Sequence, residues 1–359
     1  MSRILWLGMD VHKNTISIAV FGSGPQPLAE VQVPNEPRRL KRFLDRWAKE
    51  GELRCCYEAS GAGFVIQRAM REWGYACEVI APSLIPQRRG NRRKHDRYDA
   101  RELGLNYRAG ALVPVRVPSE TEEQIRDVVR LRGRIQKEIL QSRHCVLKFL
   151  ARRGLVFVEG KHHWTKRHWS WLRALLQPGK LSREDHLVLS ELIELLDFKI
   201  SKRDKLDAKI EEYALEPYYQ ERVQAVECLR GFQKQGAMVL VSEIGDFRRF
   251  AKADQFMSFV GLIPSEDSSG ERQRRGSITK AGNSRCRHVL IQAAWTYARL
   301  PRIGPGIKQR QEGAPESIVA HSWKAQQRLH DVFRRVSARR GKNIGWSRWR
   351  GSWLASCGR

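Results

Sequence analysis

The chain has 359 residues, 41% of them hydrophobic, which suggests two or three domains with real cores and excludes a disordered tail. Lys and Arg number 66 against 39 Asp and Glu, and the resulting net charge of +27 points to a polyanionic partner, nucleic acid before all others. A membrane-surface role would want a concentrated amphipathic helix or an apolar span, and neither is present. The seven cysteines are scattered, without a C-x-x-C pair, and argue against a disulfide framework or a zinc site. The start lacks a signal-peptide pattern, so the expectation is a reduced, cytoplasmic compartment.

In chain order, Ile4–Asp10 reads as a buried strand, followed by a polar turn at His12-Lys13-Asn14 and an alternating strand from Thr15 to Phe21. Leu28–Val33 completes an antiparallel meander. Leu40, Phe43, Leu44 and Trp47 predict a helix over Pro37–Lys49. Leu53–Tyr57 is a fourth strand, ending at Glu58. Gly61 and Gly63 open a helix through Trp73, and Ala76–Ile80 is a fifth strand. Three meander strands followed by helix, strand, helix and strand is the order of the ribonuclease H-like fold.

An Arg-rich loop with Arg88, Arg89, Arg92, Arg93 and Lys94 leads into a helix from Asp96 to about Arg108. A long helix follows from Ser119 to about Leu150, with Ser119-x-x-Glu122 as a capping box. A His/Trp-rich insert, His162 to Trp171, separates it from a second long helix, Ser182 to Ala214, ended by Pro217. Its apolar spacing carries some coiled-coil character and suggests an antiparallel hairpin. From Val223 the signals are mainly helical, interrupted by a polar loop over Pro264–Gly282. From Arg299 onward 14 Lys and Arg stand against 3 Asp and Glu, about +11 for this end alone. The expected architecture is α/β plus α: residues 1–115 a ribonuclease H-like domain, 116–222 a helical or coiled-coil hairpin, 223–359 a mainly helical domain.

Two constellations carry chemistry. Asp10, Glu58, Asp96 and Asp99 are acids at strand ends or at one helix start, and the spacing of three puts the last two on one helix face. Phosphodiester chemistry uses carboxylates to hold hard divalent metal, magnesium first and manganese as the alternative. Each acid alone also fits a turn, a strand end or a pairing with Arg97 or Arg101. The basic run 88–94, just before two of the acids, suits phosphate contact. Trp164, Trp169 and Trp171 among His and Lys suit base stacking or plain packing. Downstream, Ser269 precedes Gly270 on a loop that also carries Arg272, Arg274, Arg275, Lys280, Arg285 and Arg287. Such a serine can approach a phosphate, with the cations stabilising developing charge, or the loop can simply bind phosphate.

These motifs, in order, resemble the DEDD transposases of insertion sequences. They are Leu7-Gly8-Met9-Asp10-Val11-His12-Lys13, Tyr57-Glu58-Ala59-Ser60-Gly61, Asp96-x-x-Asp99-Ala100, Phe259-Val260-Gly261-Leu262-x-Pro264, Ser269-Gly270 and Ile278-Thr279-Lys280-x-Gly282-Asn283-x-x-x-Arg287. Those are bridge-RNA-guided serine recombinases whose first domain is similar to the junction resolvase RuvC. The resemblance covers most of the chain. It implies that Asp10, Glu58, Asp96 and Asp99 bind metal and that Ser269, or Ser268 after a register shift, is a nucleophile forming a covalent phosphoserine link. It also implies donor and target DNA, a structured guide RNA and a dimer or tetramer as partners. The chain departs from the family at Leu229–Gly236, where many relatives carry Pro-Gly-Ile-Gly. A metal-dependent endonuclease or junction resolvase using water is the alternative enzyme. A non-catalytic nucleic-acid-binding protein is the alternative of another class.

Overall fold

The structure is a computed structural model. It describes residues 3–82, 85–86, 96–269 and 272–357, with the side chains of 96–97, 266–269, 272–275 and 339–357 set aside. The chain divides into two compact units, Met1–Pro118 and Ser119–Arg359.

The first unit is a mixed sheet built from β1 (Ile4–Val11), β2 (Thr15–Phe21), β3 (Ala29–Pro34), β4 (Glu52–Glu58) and β5 (Ala76–Ile80). Spatial order is β3-β2-β1-β4-β5, with the meander antiparallel and β1-β4-β5 parallel. Its helices are α1 (Pro37–Trp47), α2 (Val65–Glu72) and α3 (Asp96–Arg108). Alternation sorts the strand side chains into two layers. Leu5, Leu7, Met9, Ile16, Ile18, Val20, Leu53 and Tyr57 form a core with Leu40 and Leu44 of α1 and Met70 of α2. The opposite face, with Gly8, Ala19, Phe21 and Cys56, is covered by Ala100, Leu103 and Gly104 of α3. This mixed α/β unit is compatible with the ribonuclease H-like expectation. The helix expected from Gly61 begins only at Val65, because Ser60 and Gly63 close a turn first.

The second unit opens with α4 (Glu120–Arg152). Its capping box is formed: the Ser119 hydroxyl accepts from the Glu122 amide at 3.2 Å, and the Glu122 carboxylate accepts from the Ser119 amide at 2.8 Å. After α5 (Lys166–Leu175), α6 (Arg183–Tyr213) runs back along α4. Arg132 pairs with Asp207, Lys199 donates to Ser142, and Arg153 pairs with Asp185. As one number rises the other falls, so the hairpin is antiparallel and closes within one chain.

Pro217 does not end α6. That helix stops at Tyr213, and Pro217 is the first residue of α7 (Pro217–Glu227), where its missing N–H costs nothing. The base of the hairpin shares a core with α7, α8 (Lys234–Ile244), α9 (Ala253–Phe259) and α10 (Ser284–Ala294). α11 (Pro305–Gln311) and α12 (Glu316–Cys357) complete the unit. The segment expected as a polar loop is instead an antiparallel ribbon, β6 (Pro264–Ser269) with β7 (Arg272–Ile278). Among the described residues no helix is long and apolar enough to cross a membrane.

Candidate active site

Met9 of β1 is the register partner of Tyr57 of β4, so Asp10 and Glu58, one residue on, end adjacent parallel strands side by side. Both fall on the strand face of Gly8 and Cys56, the face that α3 covers.

α3 lies so close because two glycines meet. A Cβ on Gly8 would stand 2.2 Å from the Ala100 carbonyl oxygen and 2.2 Å from the Gly104 nitrogen. Ala100 and Gly104 sit over Gly8, while Arg108, at the helix end, donates to the Gly22 carbonyl just past Phe21. Since Phe21 pairs with Trp6 near the start of β1, α3 runs against β1. Its first turn, with positions 96 and 99, therefore lies toward the strand ends that carry Asp10 and Glu58. Helix N-termini also attract phosphate. The backbone positions of 10, 58, 96 and 99 thus lie on three elements toward one end of one sheet face.

Sequence reasoning missed His12 as a partner. Its Nε2 lies 3.0 Å from Asp10 Oδ2, and its backbone is held by Asn35, whose side-chain amide donates to the His12 carbonyl at 2.8 Å. The Asp-x-His spacing across the tight β1–β2 turn was the available signal. Carboxylate oxygens such as those of Asp10, Glu58 and Asp99 are of the kind that suits a hard divalent cation. Among the described residues no group of three or more His, Cys, Asp or Glu stands together as a ligand set. The Asp96 side chain and the basic run Arg88, Arg89, Arg92, Arg93 and Lys94 lie outside the described residues.

The second constellation belongs to the other unit. Ser269 is the last residue of β6 and pairs with Arg272, one step beyond Ser268 opposite Gln273. Arg274 pairs with Asp267 and Arg275 with Glu266, while the side chains of 266–269 and 272–275 lie outside the described residues.

The base of this ribbon is clamped. The amides of Thr279, Lys280 and Asn283 donate to the carbonyls of Ile263, Gly261 and Phe259. Gly261 and Gly282 both have positive φ, and a Cβ on either would strike backbone at 1.8 and 2.2 Å. Asn283 accepts from the amides of Arg285 and Cys286, capping α10, and donates at 2.8 Å to Glu243. Glu243 in turn takes both forks of Arg130, at 2.7 and 2.8 Å. Burial would raise the Glu243 carboxyl, but the Arg130 guanidinium and Asn283 more than offset it and hold it below its ordinary range.

Of the predicted phosphate contacts here, Lys280 and Arg285 are exposed. Arg287 is half-buried and donates to the Val260 carbonyl at 2.8 Å, which commits it to shaping the clamp.

Comparison with known proteins finds family matches over the two regions of the chain that hold these residues. A DEDD family described as Transposase matches residues 7–152, and one described as Transposase IS116/IS110/IS902 family matches residues 223–307. A putative transposase, y4qE of Sinorhizobium fredii, is 35% identical over 345 residues, 95% of this chain and 84% of the relative. The transposase for insertion sequence element IS1533 of Leptospira borgpetersenii is 29% identical over 347 residues, covering 95% and 99%. The transposase for IS1111A of Coxiella burnetii is 23% identical over 244 residues, covering 67% and 65%. A DNA-cutting and rejoining function is what such relatives imply, and the chain belongs to the IS116/IS110/IS902 family of insertion-sequence transposases.

Proposed function

We propose that this transposase recombines donor and target DNA through a serine nucleophile working with a carboxylate-held divalent metal. The observation that supports the reading is that Asp10 and Glu58 end adjacent parallel strands on the face that α3, which bears positions 96 and 99, covers. Asp10, Glu58, Asp96 and Asp99 would hold magnesium, or manganese in its place. When bound, the metal neutralises charge on a phosphate. His12 steadies the Asp10 carboxylate. Residues 1–115 supply the acids, 116–222 the spacing hairpin, and 223–359 the serine.

Ser269 Oγ attacks the DNA phosphorus. An Oγ–P bond forms, a P–O bond to deoxyribose breaks, and the serine proton leaves for the departing sugar oxygen. Attack by a hydroxyl of another strand reverses the exchange and frees the serine, so no water or energy cofactor is consumed. Arg272, Arg274, Arg275, Lys280 and Arg285, with the 88–94 run, bind strand phosphates. A structured guide RNA pairs with donor and target, and two or four copies assemble in the cytoplasm so that acids and serine meet.

The test is denaturing capture of protein on end-bearing DNA. A covalent adduct is expected in the wild type and lost in Ser269→Ala, while Asp10→Asn abolishes both adduct and cutting. Free cut ends without adduct would establish water as the nucleophile, and Ser269→Ala forming adduct at wild-type level would refute the serine assignment. Binding unaccompanied by any cutting would leave a nucleic-acid-binding protein. Ribonuclease-sensitive absorbance of protein purified at low salt tests the RNA.

A further inference from the structure

The turn of the α4–α6 hairpin holds a cleft unrelated to either constellation above. Between α4 and α5 lies a cleft of about 230 Å³ lined by Leu147, Leu150, Phe157, His163, His168 and Trp171. His168 is fully buried, and neither ring nitrogen has a hydrogen-bond partner. It stands among aromatic rings: Phe157 at 5.0 Å, Trp164 at 5.1 Å and Trp171 at 5.6 Å between centroids. His163, an exposed ring edge-on to His168 at 5.0 Å, covers it from outside.

Two further features mark the place. Trp164 has φ 65°, a left-handed conformation that a bulky aromatic residue adopts only when its surroundings impose it. Residues 143–183 carry ten Lys and Arg against one acid, Glu159. Arg152, Lys161, Lys166, Arg167 and Arg173 in this stretch are all exposed, while Arg153 is held by Asp185.

We infer that this cleft captures an unpaired nucleobase of a nucleic-acid strand whose phosphates run over the surrounding cations. Size and chemistry narrow the occupant. Pockets for drug-sized ligands enclose roughly 300–1,000 Å³, so this cleft takes one planar ring and leaves the sugar-phosphate outside. Its walls are apolar and aromatic, which suits a stacked base and excludes a phosphate. A metal is excluded by the donors, since among the described residues no third ligand joins His163 and His168.

The base takes the place of the His163 ring, stacks on Phe157 beside Trp171, and meets His168 with its edge. An imidazole presents one donor and one acceptor, so it can serve the edge of any base. The site would therefore read the presence of an unstacked base rather than its identity, as single-strand platforms do. The proposal needs only that nucleic acid is the partner. It stands or falls apart from the metal and Ser269 assignments.

The test uses the full chain with short oligo-dT and oligo-U strands, an all-abasic strand of equal length, and a blunt duplex of equal phosphate number. One stacked base is worth about a five- to hundredfold preference, so base-bearing strands should bind the wild type tighter than the abasic strand by that margin. Strands carrying 5-iodouracil should cross-link to the peptide spanning 156–171, and the DNA and RNA arms identify which strand is favoured. His168→Phe keeps the ring packing and removes the nitrogens, and Phe157→Leu removes the stack. Each should lower the preference at temperatures where its thermal melt shows the protein folded. Equal binding of base-bearing and abasic strands, or cross-links confined to other peptides, overturns the proposal. That comparison needs no variant, so it holds even if a variant fails to fold.

Discussion

Gly8→Ala tests whether the α3–β1 approach builds the candidate site. A Cβ there would meet backbone at 2.2 Å on two sides, and ordinary contact begins at 3.4 Å. The helix must therefore withdraw by 3.4 − 2.2 = 1.2 Å, or β1 must buckle. Neither obstacle is a flexible side chain, so relief is expensive. Overpacking of this kind costs about 1–3 kcal/mol, and at roughly 4 °C per kcal/mol for a unit of this size the melting temperature should fall by about 4–12 °C. The same shift carries positions 96 and 99 away from Asp10 and Glu58. A displacement of about 1 Å in a catalytic constellation costs on the order of a hundredfold in rate. The assay pairs a thermal melt with cutting of end-bearing DNA well below the melting range, where lost stability alone would leave activity intact. Gly24→Ala, with nothing within 4 Å of the added carbon, is the control and should change neither. Wild-type cutting by a Gly8→Ala protein with wild-type melting would show that the helix does not position the acids.

Two further outcomes are expected elsewhere. Glu243→Gln breaks a charge pair whose carboxylate is nearly inaccessible, but Arg130 is about a third exposed and can regain water. The loss should be about 1–3 kcal/mol rather than the full cost of a stranded buried charge. Because the folded Glu243 carboxyl is held below its unfolded value of about 4.3, its contribution is complete above that pH and disappears as pH falls through the lower folded value. The gap between wild type and Glu243→Gln in denaturant melts should narrow in that window, and a gap constant down to about pH 3 would refute the pairing. His168 behaves with the opposite charge. Burial, and then nearby His163, lowers its pKa, so below about pH 6.5 the unfolded chain takes up a proton that the folded insert resists. Hydrogen exchange over 157–171, corrected for intrinsic rates, should quicken from about pH 7.5 to about 5.5 in the wild type and not in His168→Phe.

The strands, the two long helices and the Ser119 cap were legible because each is a local pattern: alternation, helical spacing, or a serine three residues before a glutamate. What the sequence hid depended on distance along the chain or on ambiguity of type. Arg130 and Glu243 are 113 positions apart, and no local pattern joins them. Gly8 looks like one more small residue in an apolar strand, and only the facing Gly104 reveals why it is small. Pro217 suits both the end of one helix and the first position of the next. The Pro264–Gly282 ribbon was read as a loop because its residues are polar on both faces and lack the alternation that a half-buried strand displays.

That ribbon also gives the glycines and the asparagine of the C-terminal motif a structural role. An isolated two-stranded hairpin is only marginally stable in water, and this one is polar in sequence apart from Ile278 at its base, which packs on the helical core. Its geometry must be imposed from the base, where Gly261 and Gly282 permit backbone contact that any side chain would block. Asn283 links that contact to the start of α10 and, through Glu243, to Arg130 on the long hairpin helix. Displacing any member of this chain of contacts is expected to shift position 269 through the backbone of β6. The C-terminal motif is therefore chiefly a mounting. Its glycines and asparagine fix where the ribbon leaves the helical body, and the residues at its far end are left free to specialise.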